Sequence, residues 1–109
     1  MGEIGREMAL RGAAFGMRNL YYQRTPLSAA GEAALHAEYR PLEALLAESD
    51  WVVVTLPFNQ STRDFISREQ ITQMKSGAAI VNISPAAIVN RDAVIEGLSS
   101  GQLLSLIHI

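Results

Sequence analysis

Trp51-Val52-Val53-Val54-Thr55-Leu56-Pro57 is the stretch that decides the fold. It is a near-continuous apolar run with β-branched residues, and Pro57 terminates it. A strand with one wet face alternates apolar and polar residues. A run without alternation reads as a strand covered on both faces, as in a parallel sheet. A second such run, Ala78-Ala79-Ile80-Val81-Asn82-Ile83, follows downstream. Between them Ser67-Arg68-Glu69-Gln70 has the spacing of a capping box, with Ser67 at the cap and Gln70 reaching back. Ile71 and Met74 supply the buried side of that helix, and Ser76-Gly77 closes it.

Working outward, Pro41 suits the first position of a helix whose apolar stripe is Leu42, Leu45 and Leu46, ending near Ser49-Asp50. Beyond the second strand Asn90 caps a helix through roughly Leu98, with Ala93, Val94 and Leu98 facing inward. Gly101 ends it, and Leu103 to Ile107 make a last short strand. Towards the start, residues 4–15 have helical spacing (Ile4, Met8, Ala9, Arg11, Gly12, Phe15), with Gly16 as the stop. Asn19-Leu20-Tyr21-Tyr22 has aromatic strand character, broken by Thr25-Pro26. Ser28 caps a helix from Ala29 to Ala37, which Gly31 weakens. The order is helix, strand, helix, helix, strand, helix, strand, helix, strand. That alternation predicts an α/β fold with a doubly wound, Rossmann-like parallel sheet. The chain opens on a helix where such a unit opens on a buried strand, so the first strand is expected to be missing. No repeat, linker or low-complexity tract divides the chain.

Composition narrows the function. The chain has 109 residues, enough for one modest domain. Charged residues make up 18%, below the usual level of about 25%, which suits a surface partly meant to meet other protein. The net charge is -2, Lys75 is the single lysine, and the eight arginines are scattered. Nucleic-acid binding by phosphate neutralisation is therefore not expected. Cysteine is absent, which excludes disulfides, thiolate metal sites and a thiol nucleophile. No apolar run reaches the ~20 residues of a membrane span, and the first residues lack a signal-peptide layout. A cytoplasmic protein without membrane contact is the expectation.

Gly2-Glu3-Ile4-Gly5 stands immediately before the first helix. Glycine lets backbone approach a pyrophosphate, and a helix N-terminus offers N–H groups and a positive dipole end. In the dinucleotide fingerprint G-x-G-x-x-G, Gly2 and Gly5 would be the second and third glycines, the first lying before Met1. The same four residues equally make a plain tight start to a helix. About 20 residues on, an acidic side chain normally binds the ribose hydroxyls of NAD. That point falls at Tyr22-Gln23-Arg24-Thr25, where no acid stands. An arginine pairs with phosphate through its planar fork, which favours NADP over NAD. The alternative is that Arg24 is only a solvated turn residue.

Several further stretches share one resemblance. They are Phe15-Gly16-Met17, Leu42 to Pro57, Ser61-Thr62-Arg63, Met74-Lys75-Ser76-Gly77-Ala78, Val81-Asn82-Ile83-Ser84 and Ile88-Val89-Asn90-Arg91-Asp92-Ala93-Val94. In this order and spacing the chain resembles the NAD(P)-binding domain of the D-isomer-specific 2-hydroxyacid dehydrogenases, closest to the glyoxylate/hydroxypyruvate and 2-ketogluconate reductase branch. The resemblance implies hydride transfer between NAD(P)H and a small 2-keto or 2-hydroxy acid, in a parent protein that is a homodimer. It also implies a histidine steered by a glutamate as acid/base, and an arginine that holds the substrate carboxylate. Such a division answers the chemistry, since hydride addition builds negative charge on the carbonyl oxygen.

Carried over residue by residue, Gly2, Glu3, Ile4 and Gly5 match the pyrophosphate loop, and Gln23, Arg24 and Thr25 the adenosine-ribose end. Leu56, Pro57 and Thr62 match loops lining the cofactor, and Ile83 and Ser84 the loop beside the nicotinamide. The catalytic arginine does not carry over. The family pattern N-x-x-R-G reads here Asn82-Ile83-Ser84-Pro85-Ala86, so Pro85 stands where the arginine belongs. Proline brings neither charge nor a backbone donor. The glutamate and histidine are expected beyond Ile109. His108 falls too early for the role, and His36 reads as a surface residue. No catalytic residue is assigned. Residues 1–103 are expected to form a partial dinucleotide-binding domain and 104–109 a divergent or artefactual tail. The alternative function is a non-catalytic dinucleotide-binding or regulatory α/β domain, motivated by Pro85. A bare fold remnant without ligand is the third possibility.

Overall fold

The computed structural model describes residues 2–108. Met1, before the glycines, and Ile109, the last residue of the expected tail, lie outside them. The chain forms two compact units, 1–45 and 46–109, whose boundary falls within one helix.

In the first unit, helix α1 (Glu3–Ala14) starts at Gly2 and stops where Gly16 takes a positive φ of 79°. Strand β1 (Asn19–Tyr21) then runs back along α1, because the Asn19 side-chain amide donates to Ala9 O at 2.6 Å. Gly12 permits this approach, since a Cβ there would lie 2.6 Å from Asn19 Oδ1. Helix α2 (Ala29–Leu35) is capped by Ser28, whose hydroxyl accepts from Gly31 N at 3.1 Å. The expected extension to Ala37 is not observed. His36 adopts a left-handed conformation (φ 52°, ψ 44°) and ends the helix. Ala37–Tyr39 then form an unexpected strand, β2, parallel to β1 with Tyr21 opposite Tyr39. Histidine tolerates that backbone better than most residues, and Pro41, two residues past Tyr39, stops the strand from continuing. Ala9, Tyr21, Leu35 and Ala37 are the core of this unit.

Helix α3 (Leu42–Glu48) spans the unit boundary. The second unit is a parallel sheet in the order β3 (Trp51–Val54), β4 (Ala78–Asn82), β5 (Leu103–His108). Helix α4 (Arg68–Gln73) follows β3, and helix α5 (Arg91–Ser100) follows β4. Gln70 reaches back to Ser67 as the sequence predicts, with Oε1 accepting from the Ser67 N–H at 3.0 Å. Asn90 caps α5 by accepting from Ala93 N at 2.9 Å. Leu46, Ile80 and Ile88 are fully buried.

Two expectations are corrected here. Strand β3 is not covered on both faces. Val52 and Val54 are buried while Trp51 is 49% exposed and Val53 only half-buried, so one face of the strand is covered and the other stays partly open. Leu98 does not face inward but is 42% exposed. Gly97 takes the contact instead, within 3.2 Å of Leu103 and Ile71 atoms if given a Cβ. Among the described residues no helix is long and apolar enough to cross a membrane.

Candidate functional site

In open α/β sheets the C-terminal strand ends gather ligands, and each unit presents its own set of residues there. In the first unit β1 runs back along α1, so the start of α1 and the end of β1 lie at the same end. Gly2, Glu3, Ile4 and Gly5 are at this end, and so are Gln23, Arg24 and Thr25. Gly2 has an extended backbone (φ -73°, ψ 175°) and no side chain caps α1. A Cβ placed on Gly2 would meet nothing within 4 Å. The first N–H groups of α1 thus have no side-chain capping partner, which suits a phosphate group approaching them.

The loop after β1 is drawn back on itself. Gln23 Nε2 donates to Thr25 O at 2.6 Å, and Leu27 N donates to the Tyr21 hydroxyl at 2.7 Å. That hydroxyl in turn donates to Glu32 Oε2 at 2.7 Å. Burial, followed by the bond to Glu32, pushes the Tyr21 phenol above its ordinary value. Arg24 is exposed at the bend.

In the second unit the rim is made of the ends of β3 and β4, tied together by one hydroxyl. Ser84 Oγ accepts from Leu56 N at 2.6 Å and lies 3.1 Å from Val54 O, to which it donates. Ser84 N donates to Asn82 Oδ1 at 2.9 Å. Asn82 and Ser84 are both buried. Thr62 Oγ1 donates to Pro57 O and accepts from Asn59 N, both at 2.8 Å, closing the loop from Pro57 to Thr62. Both hydroxyls are thus engaged within the protein. They set the path of Leu56-Pro57 and Ile83-Ser84 and leave backbone and apolar atoms to face a ligand.

The two rim loops are also zipped together. Asp64 N donates to Ala87 O at 2.9 Å, Ile66 N to Ile88 O at 3.0 Å, and Asn90 N to Ile66 O at 2.8 Å. Pro85 sits exposed at the head of a short 3-10 turn, Ala86–Ile88, with φ -53° and ψ 143°. Arg63 lies over the Phe58 ring, 5.3 Å from its centroid, on the same loop. His108 contacts the Ser84 carbonyl through Nε2 at 3.1 Å. His36 is exposed, as the sequence suggests.

A shallow depression of about 480 Å³ lined by Leu10, Ala13, Ala14, Gly16, Met17 and His36 lies near the end of α1. At 1.5 Å per residue that is roughly 15 Å from the Gly2 end, so it lies apart from the ligand end of this unit. One rim residue was not singled out by the sequence: Asn82 shows itself there only as a lone amide closing an apolar run.

The NAD binding domain of the D-isomer specific 2-hydroxyacid dehydrogenases matches residues 1–107. Glyoxylate reductase of Pyrococcus furiosus is 44% identical over 100 residues, which make up 92% of this chain and 30% of that protein. The apo structure of D-mandelate dehydrogenase from Rhodotorula graminis is similar with a TM-score of 0.90 and 38% identity, covering 99% of this chain and 33% of that one. D-lactate dehydrogenase from Aquifex aeolicus, solved with NAD and lactic acid, has a TM-score of 0.90 and 30% identity, covering 98% and 32%. The chain spans about a third of the length of these proteins. With the family match running over nearly every residue and the C-terminal strand ends arranged as described, the chain belongs to the D-isomer-specific 2-hydroxyacid dehydrogenase family, as a stretch of its NAD-binding domain.

Proposed function

We propose that the chain is the cofactor-binding part of an oxidoreductase acting on a small 2-keto or 2-hydroxy acid, and that it takes NADP(H) in preference to NAD(H). The observation that carries this is the convergence of the uncapped Gly2 end of α1 with the Gln23-Arg24-Thr25 bend at one end of the first unit. When bound, the nicotinamide would give or take the hydride. The chain's own part is to bind and orient. The N–H groups from Glu3 to Gly5 take the pyrophosphate. Gln23 and Thr25 offer hydrogen bonds to the adenosine ribose, and Arg24 offers its fork to a 2′-phosphate. Leu56, Pro57, Thr62, Ile83, Ser84 and Pro85 shape the nicotinamide side and exclude water there.

No acid/base residue is assigned within the chain. Pro85 removes the carboxylate anchor at the position where the family pattern has arginine. The chain by itself is therefore expected to turn over neither glyoxylate nor hydroxypyruvate, and the parent protein is proposed to be a homodimer. Pro85 also favours a second reading, a dinucleotide-binding or regulatory domain without catalysis.

Calorimetric titration of the chain with NADPH and NADH tests the main proposal. Weak binding with NADPH ahead is expected. Clear preference for NADH removes the role of Arg24, and turnover of either acid by the chain alone sinks the claim of a missing catalytic set. Calorimetry is preferable to tryptophan emission, because Trp51 stands at the start of β3, away from the rim.

A further inference from the structure

We propose that Arg63 is the carboxylate anchor on the rim of the second unit, taking the small 2-keto or 2-hydroxy acid in place of the arginine that Pro85 displaces. The assignment rests on the oxidoreductase reading above and adds to it a residue that touches substrate. Pro85 leaves the nicotinamide side of the rim without the cation of the family pattern. A carboxylate drawn out of water there still needs a charged partner. The second unit has four arginine and lysine side chains to offer. Arg68 is paired with Glu96 Oε2 at 2.6 Å, and Lys75 with Asp50 Oδ1 at 3.2 Å. Arg91 is exposed at the first residue of α5, with no ring beneath it. Arg63 differs from all three. Its guanidinium lies over the ring of Phe58, the residue after Pro57, 5.3 Å from the centroid. Among the described residues no acid pairs with Arg63 and no hydrogen bond occupies its side-chain donors. The ring restrains the head of a long side chain, and the planar fork of donors matches a carboxylate.

The backbone that carries Arg63 is fixed from both sides. Its own N–H donates to Asn59 O at 3.1 Å, and Thr62 Oγ1 closes the same loop onto Pro57 O at 2.8 Å. Asp64, next in the chain, takes a φ of 52°, and its N–H donates to Ala87 O at 2.9 Å. Arg63 stands one residue before that bond and Pro85 two residues before it, so both side chains start from one laced patch of rim. An arginine entering at residue 63 thus serves the same patch as one entering at residue 85. The acids on this side are Asp64 itself and, in the first turns of α4 and α5, Glu69 and Asp92. Asp64 Oδ1 accepts from the side-chain amide of Asn90, the α5 cap, at 3.2 Å. Three acids offset the cations nearby, so Arg63 acts through its fork and its fixed position and not through a net positive field.

The probe is oxamate, an unreactive acid of the same size, titrated at constant ionic strength into the full nitrogen-15-labelled chain and followed by NMR. The Arg63 side-chain Nε–H signal and the amides of Arg63, Asp64, Ala86 and Ala87 are expected to move together along one saturating curve. Arg63→Gln should weaken oxamate about tenfold, as for loss of a charge-assisted hydrogen bond. Arg63→Lys keeps the charge but loses the fork, and falls between. Arg91→Gln, an exposed arginine of the same unit, should bind as the wild type does. The amide spectrum away from the rim verifies that each variant is folded, and should Arg63→Gln unfold, Arg63→Lys decides by the weakening it shows. Oxamate that leaves the Arg63 signals in place, or is lost equally in Arg91→Gln, overturns the assignment. So does chloride that reproduces the same curve, since any surface cation would then suffice. Separate titration of the wild type with NADPH and NADH tells this failure from that of the underlying reading. A chain that binds dinucleotide but holds no oxamate through Arg63 loses the anchor alone. A chain that holds oxamate through Arg63 but binds neither dinucleotide keeps a carboxylate site and loses the oxidoreductase reading.

Discussion

At the scale of single residues, the chain spends hydroxyls on itself. Ser84 and Thr62 stand where the family resemblance puts cofactor-lining residues, and their positions were legible in the sequence. Their roles were not. A serine at a strand end looks the same whether it bonds a ligand or the neighbouring strand, and only the path of Leu56 past Ser84 decides between the two. Tyr21 is a third case. Its hydroxyl holds Leu27 N and Glu32 together, so Tyr21→Phe leaves Leu27 N without its acceptor and should cost about 1–3 kcal/mol in urea unfolding. The pH dependence follows from the raised phenol. The folded state prefers the neutral hydroxyl, so its contribution is complete below the ordinary value of 10.0 and is lost as pH rises through the folded value. Wild-type stability should therefore fall as pH rises from 10.0 towards the folded value, while Tyr21→Phe lacks this loss and the two curves converge. Parallel curves would show that the phenol does not carry the difference.

Elements were easiest to read where local signals agree. The Ser67–Gln70 box, the Asn90 cap and the β-branched run of β3 each combine a propensity with a boundary. Strand β2 lacked all of these. Ala37-Glu38-Tyr39 has one aromatic and no β-branched residue, and its alanine continues the composition of α2. It exists because β1 offers a parallel partner and His36 turns the backbone. The inward face of α5 was misjudged by one position, since a glycine carries no apolar signal yet allows the closest packing. Gly12 has the same character on α1. Gly12→Ala must displace the Asn19 amide from beneath the helix and break its bond to Ala9 O. Overpacking and the lost bond outweigh alanine's better helix propensity, so a net loss of about 1–2 kcal/mol is expected in thermal unfolding. An unchanged or raised midpoint would mean that Asn19 simply swings aside.

At the scale of the molecule, the two units differ in what they bury. The first has a core of Ala9, Tyr21, Leu35 and Ala37, with Leu27 and Tyr39 partly buried against it. The second buries Leu46, Val52, Val54, Ile66, Ile71, Ile80, Ile88 and Leu103, among others. A small core holds a small unit weakly. Hydrogen exchange read by mass spectrometry should accordingly show faster exchange over 19–39 than over 78–82 and 103–108. Equal protection in both would refute that ranking. The sequence could indicate parallel α/β layering from its alternation, but not the division into two compact units, because that depends on which strands find neighbours. The rim of the second unit has a consequence for recognition. Asn59 and Thr62 are hydrogen-bonded to each other, Asn82 and Ser84 likewise, and residues 64–66 are laced to 87–90. A ligand arriving there meets a surface ordered in advance, so little conformational entropy is lost on binding. Under the proposed cofactor role, selectivity there is a matter of contour, whereas at the proposed Arg24 contact it is a matter of charge.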